Sequence, residues 1–372
     1  MPFPAQENSE RLKVVIAAGG TAGHLVPALA LAGALTRKGA AVSFIGTGRG
    51  LETKLVPEAG YELDLADLRG LERRLSPRTL LFFWSLLAGS LDCLRILRRR
   101  RPDVVVGGGG YVSAVPVFLA ALRRRPALTV ELDSYMGLAN RFLAPLVDRV
   151  CLSFPIAGRQ GGKYVVTGRP LPAALLEATA AEGRRLLALR EGRPVVLVSG
   201  GSLGARSINL ACARAFGRGK LENLQLVHVS GKRDHEMIRA ILQEQGADPE
   251  NYHLLDYTNS LPQLMAAADL VVGRAGASVM EVAALGKPAL LVPYPHATAD
   301  HQLHNAQWMA DAGAAEIIPD WQLTAEVLKD RITSLLCAPE RLREMAAASA
   351  ALGRRDGAGR IAREIFTLAG RD

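Results

Sequence analysis

Apolar, often β-branched residues recur along this chain in short runs, each closed by glycine or a small polar residue and followed by helical periodicity. Residues 13–18 read KVVIAA and run into Gly19-Gly20-Thr21-Ala22-Gly23-His24, and 28–36 then carry apolar residues at helical spacing. Much later, 194–198 read PVVLV, run into 199–205 (SGGSLGA), and a helix is predicted from Ser207. Each half thus opens with strand, glycine-rich turn and helix, the βα unit of a doubly wound parallel sheet. Further strands are predicted at 42–45, 103–106, 127–130 and 149–152, and then at 225–229, 270–272 and 289–292. This alternation gives the fold class: α/β, two Rossmann-like doubly wound parallel-sheet domains facing across a cleft. Pro170 and Pro172 break the pattern and set the boundary. The domains expected are 1–170 and 171–356, with a helix over 173–190 leading into the second. A C-terminal helix over 357–372 follows, with no docking site legible in it.

A length of 372 residues, 49% of them hydrophobic, suits two cores and excludes a disordered or fibrous chain. Cys93, Cys151, Cys212 and Cys337 lie far apart without disulfide or zinc spacing, which reads as a reducing compartment with buried thiols. The first twenty residues do not read as a secretory signal. The longest apolar run, 80–91, falls short of the roughly 20 residues that a spanning helix needs. Charge is lopsided: residues 1–170 hold 23 Lys and Arg against 13 Asp and Glu, the remainder 22 against 23. The first half is therefore expected to meet an anionic partner.

Three glycine-rich turns follow strands. The turn at 19–24 offers free amides at a helix start, where phosphate is attracted. It lacks both the dinucleotide spacing and the Walker lysine. His24, at its mouth, fits a base that takes a proton from a sugar hydroxyl, and equally a helix cap or phosphate ligand. Gly107-Gly108-Gly109-Gly110-Tyr111-Val112-Ser113 reads as a second phosphate cradle, and 199–205, with the Ser202 hydroxyl, as a third. Arg274-Ala275-Gly276-Ala277-Ser278 permits close approach of a ligand, and Glu281 in the helix after it suits ribose hydroxyls. Asp300-His301-Gln302 fits a sugar contact better than a metal site, and no Asp-x-Asp pair occurs to carry a nucleotide-sugar metal. No metal or cofactor is expected. An apolar helix over 79–97 is bracketed by Arg69, Arg73, Arg74 and Arg78 and by Arg95 and Arg98 to Arg101. It reads as a core helix or, with Phe82, Phe83 and Trp84 dipping in, as a face on an anionic membrane surface. No stacking aromatics accompany the basic residues, so no nucleic-acid partner is expected.

In order, Gly19-Gly20-Thr21-Ala22-Gly23-His24, Gly109-Gly110-Tyr111-Val112-Ser113, Gly200-Gly201-Ser202, Arg274-Ala275-Gly276-Ala277 and Asp300-His301-Gln302-x-x-Asn305-Ala306 resemble the motifs of one family. It is that of the undecaprenyl-diphospho-muramoylpentapeptide β-N-acetylglucosaminyltransferases of peptidoglycan synthesis. The resemblance implies a GT-B fold and peripheral attachment to the cytoplasmic face of the bacterial membrane. It implies inverting transfer of GlcNAc from UDP-GlcNAc to the 4-hydroxyl of the muramoyl sugar of lipid I, giving lipid II. By position, it gives Thr21, Ala22 and Gly23 to the donor and makes His24 the base, helped by Glu131 or Asp133. Ser202 would hold the donor diphosphate; Thr258, Ala277, Ser278 and Glu281 would hold uridine, with Arg274 a further donor-binding residue; His301 and Gln302 would hold GlcNAc. Gly109, Gly110 and Tyr111 would serve the acceptor diphosphate, with Asn140 a further donor-side residue.

The chain departs from the family in four places. Glu131-Leu132-Asp133 stands for the common Glu-Gln-Asn, putting a carboxylate where the donor meets an amide. Gly168-Arg169-Pro170-Leu171-Pro172 stands for Gly-Asn-Pro-x-Arg, leaving Arg169 as the candidate to replace the donor-side arginine. Leu203 replaces a usual Gln, and the 274–281 stretch is one residue short. Other readings are a transferase for another lipid, a UDP-GlcNAc 2-epimerase, and a non-catalytic membrane or nucleic-acid binder.

Overall fold

Alternation along β1 (Lys13–Ala17) shows how the first sheet is layered. Val14 and Ile16 enter one apolar cluster, Val15 and Ala17 another, as a period of two demands of a strand buried on both faces. The computed structural model describes residues 11–68, 78–201 and 204–371, and only the backbone of 78–87 and 298. The chain divides into two compact units, Met1–Pro172 with Asp356–Asp372, and Ala173–Arg355.

In the first unit β1 is joined by β2 (Ala41–Gly46), β3 (Glu62–Leu65), β4 (Val104–Gly107), β5 (Ala127–Glu131), β6 (Arg149–Leu152) and β7 (Tyr164–Val166). All pairs are parallel, in the order β3-β2-β1-β4-β5-β6-β7. The helices are α1 (Ala22–Arg37), α2 (Glu52–Glu58), α3 (Arg78–Arg100), α4 (Ala114–Leu122) and α5 (Leu138–Leu143). The helix Gly357–Leu368 docks here too: Ile361, Ala362 and Ile365 are buried with Leu25, Leu31 and Leu35 of α1.

The second unit has β8 (Val195–Ser199), β9 (Gln225–Val229), β10 (Tyr252–Leu255), β11 (Leu270–Gly273), β12 (Ala289–Leu291) and β13 (Ala315–Ile317). They are again all parallel, in the order β10-β9-β8-β11-β12-β13. In both sheets the strand order reverses at the first strand, between β1 and β4 and between β8 and β11. Ligands of open α/β sheets bind beyond the strand ends at such a reversal.

Two expectations about elements are corrected. The helix read over 173–190 is two short ones, Ala173–Leu176 and Ala180–Leu186. Thr179 starts the second by a capping box with Glu182, a local signal that outweighs the apolar periodicity across it. The helix read from 28 begins at Ala22, so Gly23 and His24 belong to its first turn rather than to a loop. Three cysteines are buried, and Cys337 is exposed.

Candidate active site

At the sheet reversal of the first unit, the strand ends of β1, β4 and β5 bring three segments together. Thr21 is the extended N-cap of α1, and its Oγ1 lies 3.0 Å from His24 Nδ1. The imidazole is half-buried and packs on the β4 loop. A Cβ at Gly109 would stand 2.7 Å from His24 Cδ2, and one at Gly110 would stand 3.5 Å from Nδ1. Gly109 has φ +94°, so this approach of backbone to ring requires glycine on two counts. Tyr111 is exposed at 42% and would lie 3.7 Å from a Cβ on Gly20. The structure thus joins His24, Thr21, Gly109, Gly110 and Tyr111 in one place, with Ala22 and Gly23 exposed beside them.

Burial lowers the basicity of His24; the Asp133 charge raises it and the Arg169 charge lowers it further. His24 is therefore held below the ordinary imidazole value and is neutral at neutral pH, the form able to accept a proton.

Glu131 is tied into the loop that follows β5. It is 5% exposed. Its Oε1 accepts from the amides of Leu132 and Asp133 at 3.0 and 3.2 Å, and its Oε2 from Gly137 N and Asn140 Nδ2, both at 2.9 Å. Four donors fill the lone-pair sites of a carboxylate. Burial nevertheless pushes the Glu131 carboxyl up against these bonds. Glu131 shapes the 132–140 loop and so places Asp133. Asn140 is 4% exposed, and its amide also donates to Val130 O at 3.1 Å.

Arg169 packs inside the first unit. It is 5% exposed and turns into the first unit, donating from Nη2 to Gly23 O at 2.6 Å and from Nη1 to Leu132 O at 3.4 Å. Pro27 explains the first bond: four residues after Gly23, it has no amide to close the helical bond to that carbonyl. The guanidinium therefore links the turn carrying His24 to the loop carrying Asp133.

In the second unit Gly276 and Gln302 are neighbours, with 3.9 Å between a Cβ at 276 and Gln302 Nε2. Gln302 Oε1 accepts from Tyr294 N at 3.0 Å. Asn305, fully buried, donates to Ala275 O at 3.0 Å and ties the helix His301–Asp311 to the loop after β11. His301 opens that helix; Ala277, Ser278 and Glu281 lie half-buried at the start of Ser278–Ala284. Thr258 Oγ1 accepts from Ser260 N at 3.0 Å, capping a turn. Gly204 sits at φ +75°, where a Cβ would meet Ser230 O at 2.1 Å, so this loop lies flat on the end of β9. Ser202 and Leu203 lie outside the described residues.

Arg274 is bonded on several sides within the second unit. Its Nη1 reaches Asp320 Oδ1 at 2.6 Å and the carbonyls of Val292 and Pro293 at 3.1 and 3.3 Å; its Nη2 reaches Ser207 Oγ at 2.8 Å. It fastens the loops after β11 and β12 to the start of the helix Arg206–Phe216. Neither Asp320 nor Ser207 stands in a motif, so sequence spacing gave no sign of them.

The side chains of Phe82, Phe83 and Trp84 lie outside the described residues; their backbone is helical within α3. Part of the basic run beside them is neutralised internally. Arg99 and Arg100 pair with Asp64, Arg100 also with Glu62, and Arg95 with Asp92. No helix among the described residues is long and apolar enough to cross a membrane.

The glycosyltransferase family 28 N-terminal domain matches residues 14–152, and the C-terminal domain of that family residues 195–361. A UDP-N-acetylglucosamine–N-acetylmuramyl-(pentapeptide) pyrophosphoryl-undecaprenol N-acetylglucosamine transferase of Halothermothrix orenii is 40% identical over 360 residues, 92% of this chain and 95% of its own. One of the same name from Moorella thermoacetica is 40% identical over 353 residues, with the same two coverages. Among solved structures, Acinetobacter baumannii MurG aligns with TM-score 0.78 at 29% identity, over 96% of this chain and 99% of that one. A Neisseria meningitidis UDP-GlcNAc 2-epimerase bound to UDP-GlcNAc aligns with TM-score 0.66 at 15% identity, over 96% and 99%, a likeness of fold alone.

Proposed function

Since this chain belongs to glycosyltransferase family 28, among the UDP-N-acetylglucosamine–N-acetylmuramyl-(pentapeptide) pyrophosphoryl-undecaprenol N-acetylglucosamine transferases, it is a hexosyltransferase, and we propose that it converts lipid I to lipid II. GlcNAc passes from UDP-GlcNAc to the 4-hydroxyl of the muramoyl sugar. The acceptor oxygen forms a bond to the anomeric carbon as the bond to the UDP oxygen breaks, so the anomer inverts and UDP leaves with the electron pair.

His24 takes the proton of the acceptor hydroxyl. With Nδ1–H donating to Thr21 Oγ1, Nε2 keeps the lone pair for that proton. Asp133, near enough to raise the basicity of His24, stabilises the imidazolium that forms. Gly109, Gly110 and Tyr111 receive the acceptor's diphosphate. In the second unit Ala277, Ser278 and Glu281 hold uridine with Thr258, and His301 and Gln302 hold the GlcNAc. Loop amides at the start of Arg206–Phe216 balance the charge of departing UDP without a metal. The protein works at the cytoplasmic membrane face as a peripheral enzyme, with α3 and its basic surroundings against anionic lipid.

The packing of His24 on Gly109 and Gly110 carries this reading, because it joins the base to the loop given to the acceptor. The test is incubation of the protein with a short-chain lipid I analogue and, in parallel, UDP-GlcNAc, UDP-GalNAc or UDP-glucose. Disaccharide from UDP-GlcNAc is expected. No disaccharide from folded protein, product only from another sugar, or UDP-ManNAc formed without acceptor would refute it.

A further inference from the structure

Among the described residues, Glu52 is one of several buried carboxylates that the transfer just described leaves unused. Glu52, the first residue of α2, is fully buried beneath the turn between β1 and α1. Its Oε1 accepts from Thr47 N at 3.0 Å and Thr47 Oγ1 at 2.5 Å, and its Oε2 from Gly20 N at 3.0 Å. Three glycines make room for it: a Cβ at Gly19, Gly46 or Gly50 would come within 2.7 Å of the Glu52 side chain. Burial pushes the carboxyl up, but the bonds from Thr47 and Gly20 outweigh burial and hold it below its ordinary value. It is an anion at neutral pH.

Amides at such a turn are the usual donors to a phosphate. Here the Gly20 amide already has an anionic partner inside the protein. A second anion above it would meet both an occupied donor and a like charge. Gly20 itself sits at φ +85°, which directs its neighbouring peptides. One residue on, Thr21 carries the hydroxyl that pairs with His24.

We infer that Glu52 is a positioning residue: it is a built-in anion that fixes the turn carrying Thr21 and His24 and suits that turn to a neutral sugar hydroxyl rather than a phosphate. The inference rests on the transfer reading for what the turn faces. The holding of the turn by Glu52 rests on its own bonds.

Glu52→Gln tests it, because the shape is kept while one acceptor becomes a donor. Its amide oxygen can serve both Thr47 donors, leaving the NH2 group facing the Gly20 N–H. Turnover is expected to fall about tenfold with the KM for UDP-GlcNAc changed by less than about threefold. The acid limb of kcat/KM moves as the Thr21–His24 pair loses register. Inorganic pyrophosphate inhibits the variant more strongly than the parent. Without any substrate, amide exchange in a peptide spanning 17–26 quickens about tenfold, while peptides of the second unit are unchanged. Exchange over 17–26 unchanged, or turnover within about twofold of the parent, overturns the inference. If Glu52→Gln fails to fold, Thr47→Val removes one donor and keeps the carboxylate. The same readouts should then move about threefold, and their constancy overturns it. A parent without transferase activity would sink the transfer reading, and the exchange measurement would still decide whether Glu52 holds the turn.

Discussion

Arg169 donates to the carbonyl of Gly23 at 2.6 Å, the carbonyl that Pro27, four residues on, leaves without its helical partner. A proline within a helix normally exposes such a group or bends the helix. Here an arginine from a distant part of the chain satisfies it, one residue before His24. Truncating Arg169 strands two carbonyls. Arg169→Ala is expected to destabilise the protein by about 2 kcal/mol in denaturant unfolding and to lower turnover more than it raises the KM for UDP-GlcNAc. A donor ligand would show the opposite split.

The pH dependence follows from the surroundings of His24. Burial and then Arg169 lower its pKa, and Asp133 raises it. With His24 as the proposed base, activity needs the neutral ring and is expected to be lost as pH falls through the folded value, which lies below the usual value of about 6.5. Asp133→Asn should move the acid limb of kcat/KM to lower pH, and Arg169→Ala should move it to higher pH. The same sign holds for stability. Between the folded value and about 6.5 the unfolded chain binds the proton and the folded chain does not, so His24 destabilises the fold progressively as pH falls through that window.

Gly109→Ala tests the packing of the loop on the ring. The new methyl would need to lie 2.7 Å from His24 Cδ2 at φ +94°. A loss of about 1 kcal/mol in stability is expected from the backbone, with a fall in turnover of about a hundredfold from displacement of the ring. Gly39→Ala, at a similar φ of +87° with open space around it, should cost similar stability and leave turnover intact.

Arg274→Ala should act on the second unit. The pair with Asp320 is mostly buried, with 13% and 21% of the side chains exposed, so its loss should cost about 2 kcal/mol. The KM for UDP-GlcNAc should rise as the loops after β11 and β12 come free. Asp320→Asn should reproduce most of both effects if Arg274 works by fastening these loops. Little change in Asp320→Asn would mean that Arg274 acts on the donor directly.

Transfer should proceed in excess EDTA at a rate within about twofold of that in magnesium, since loop amides rather than a metal are expected to meet the diphosphate. Rate loss in EDTA, restored by magnesium, would contradict this.

Strand-then-glycine patterns made both sheets legible, because a strand buried on both faces leaves an uninterrupted β-branched run such as 104–106. The edge strands β3, β7, β10 and β13 were not legible: they are three or four residues long and part-exposed, with no such run. The glycines around His24 also announced the site. What supports the site did not show. The bonds of Arg169 were hidden because its motif is local, while the carbonyls it serves are 37 and 146 residues away. Glu52 carries no motif; three glycines around its carboxylate mark it, and that is visible only once the chain is folded.

The measurement that bears most directly on the account is the rate of disaccharide formation from UDP-GlcNAc and a lipid I analogue by His24→Ala, beside the parent, at a pH where the parent's rate is flat. A fall of about 10²- to 10⁴-fold is expected, with the unfolding midpoint nearly kept. A variant that turns over at near the parent's rate would remove His24 as the base, and with it the assignment of this site.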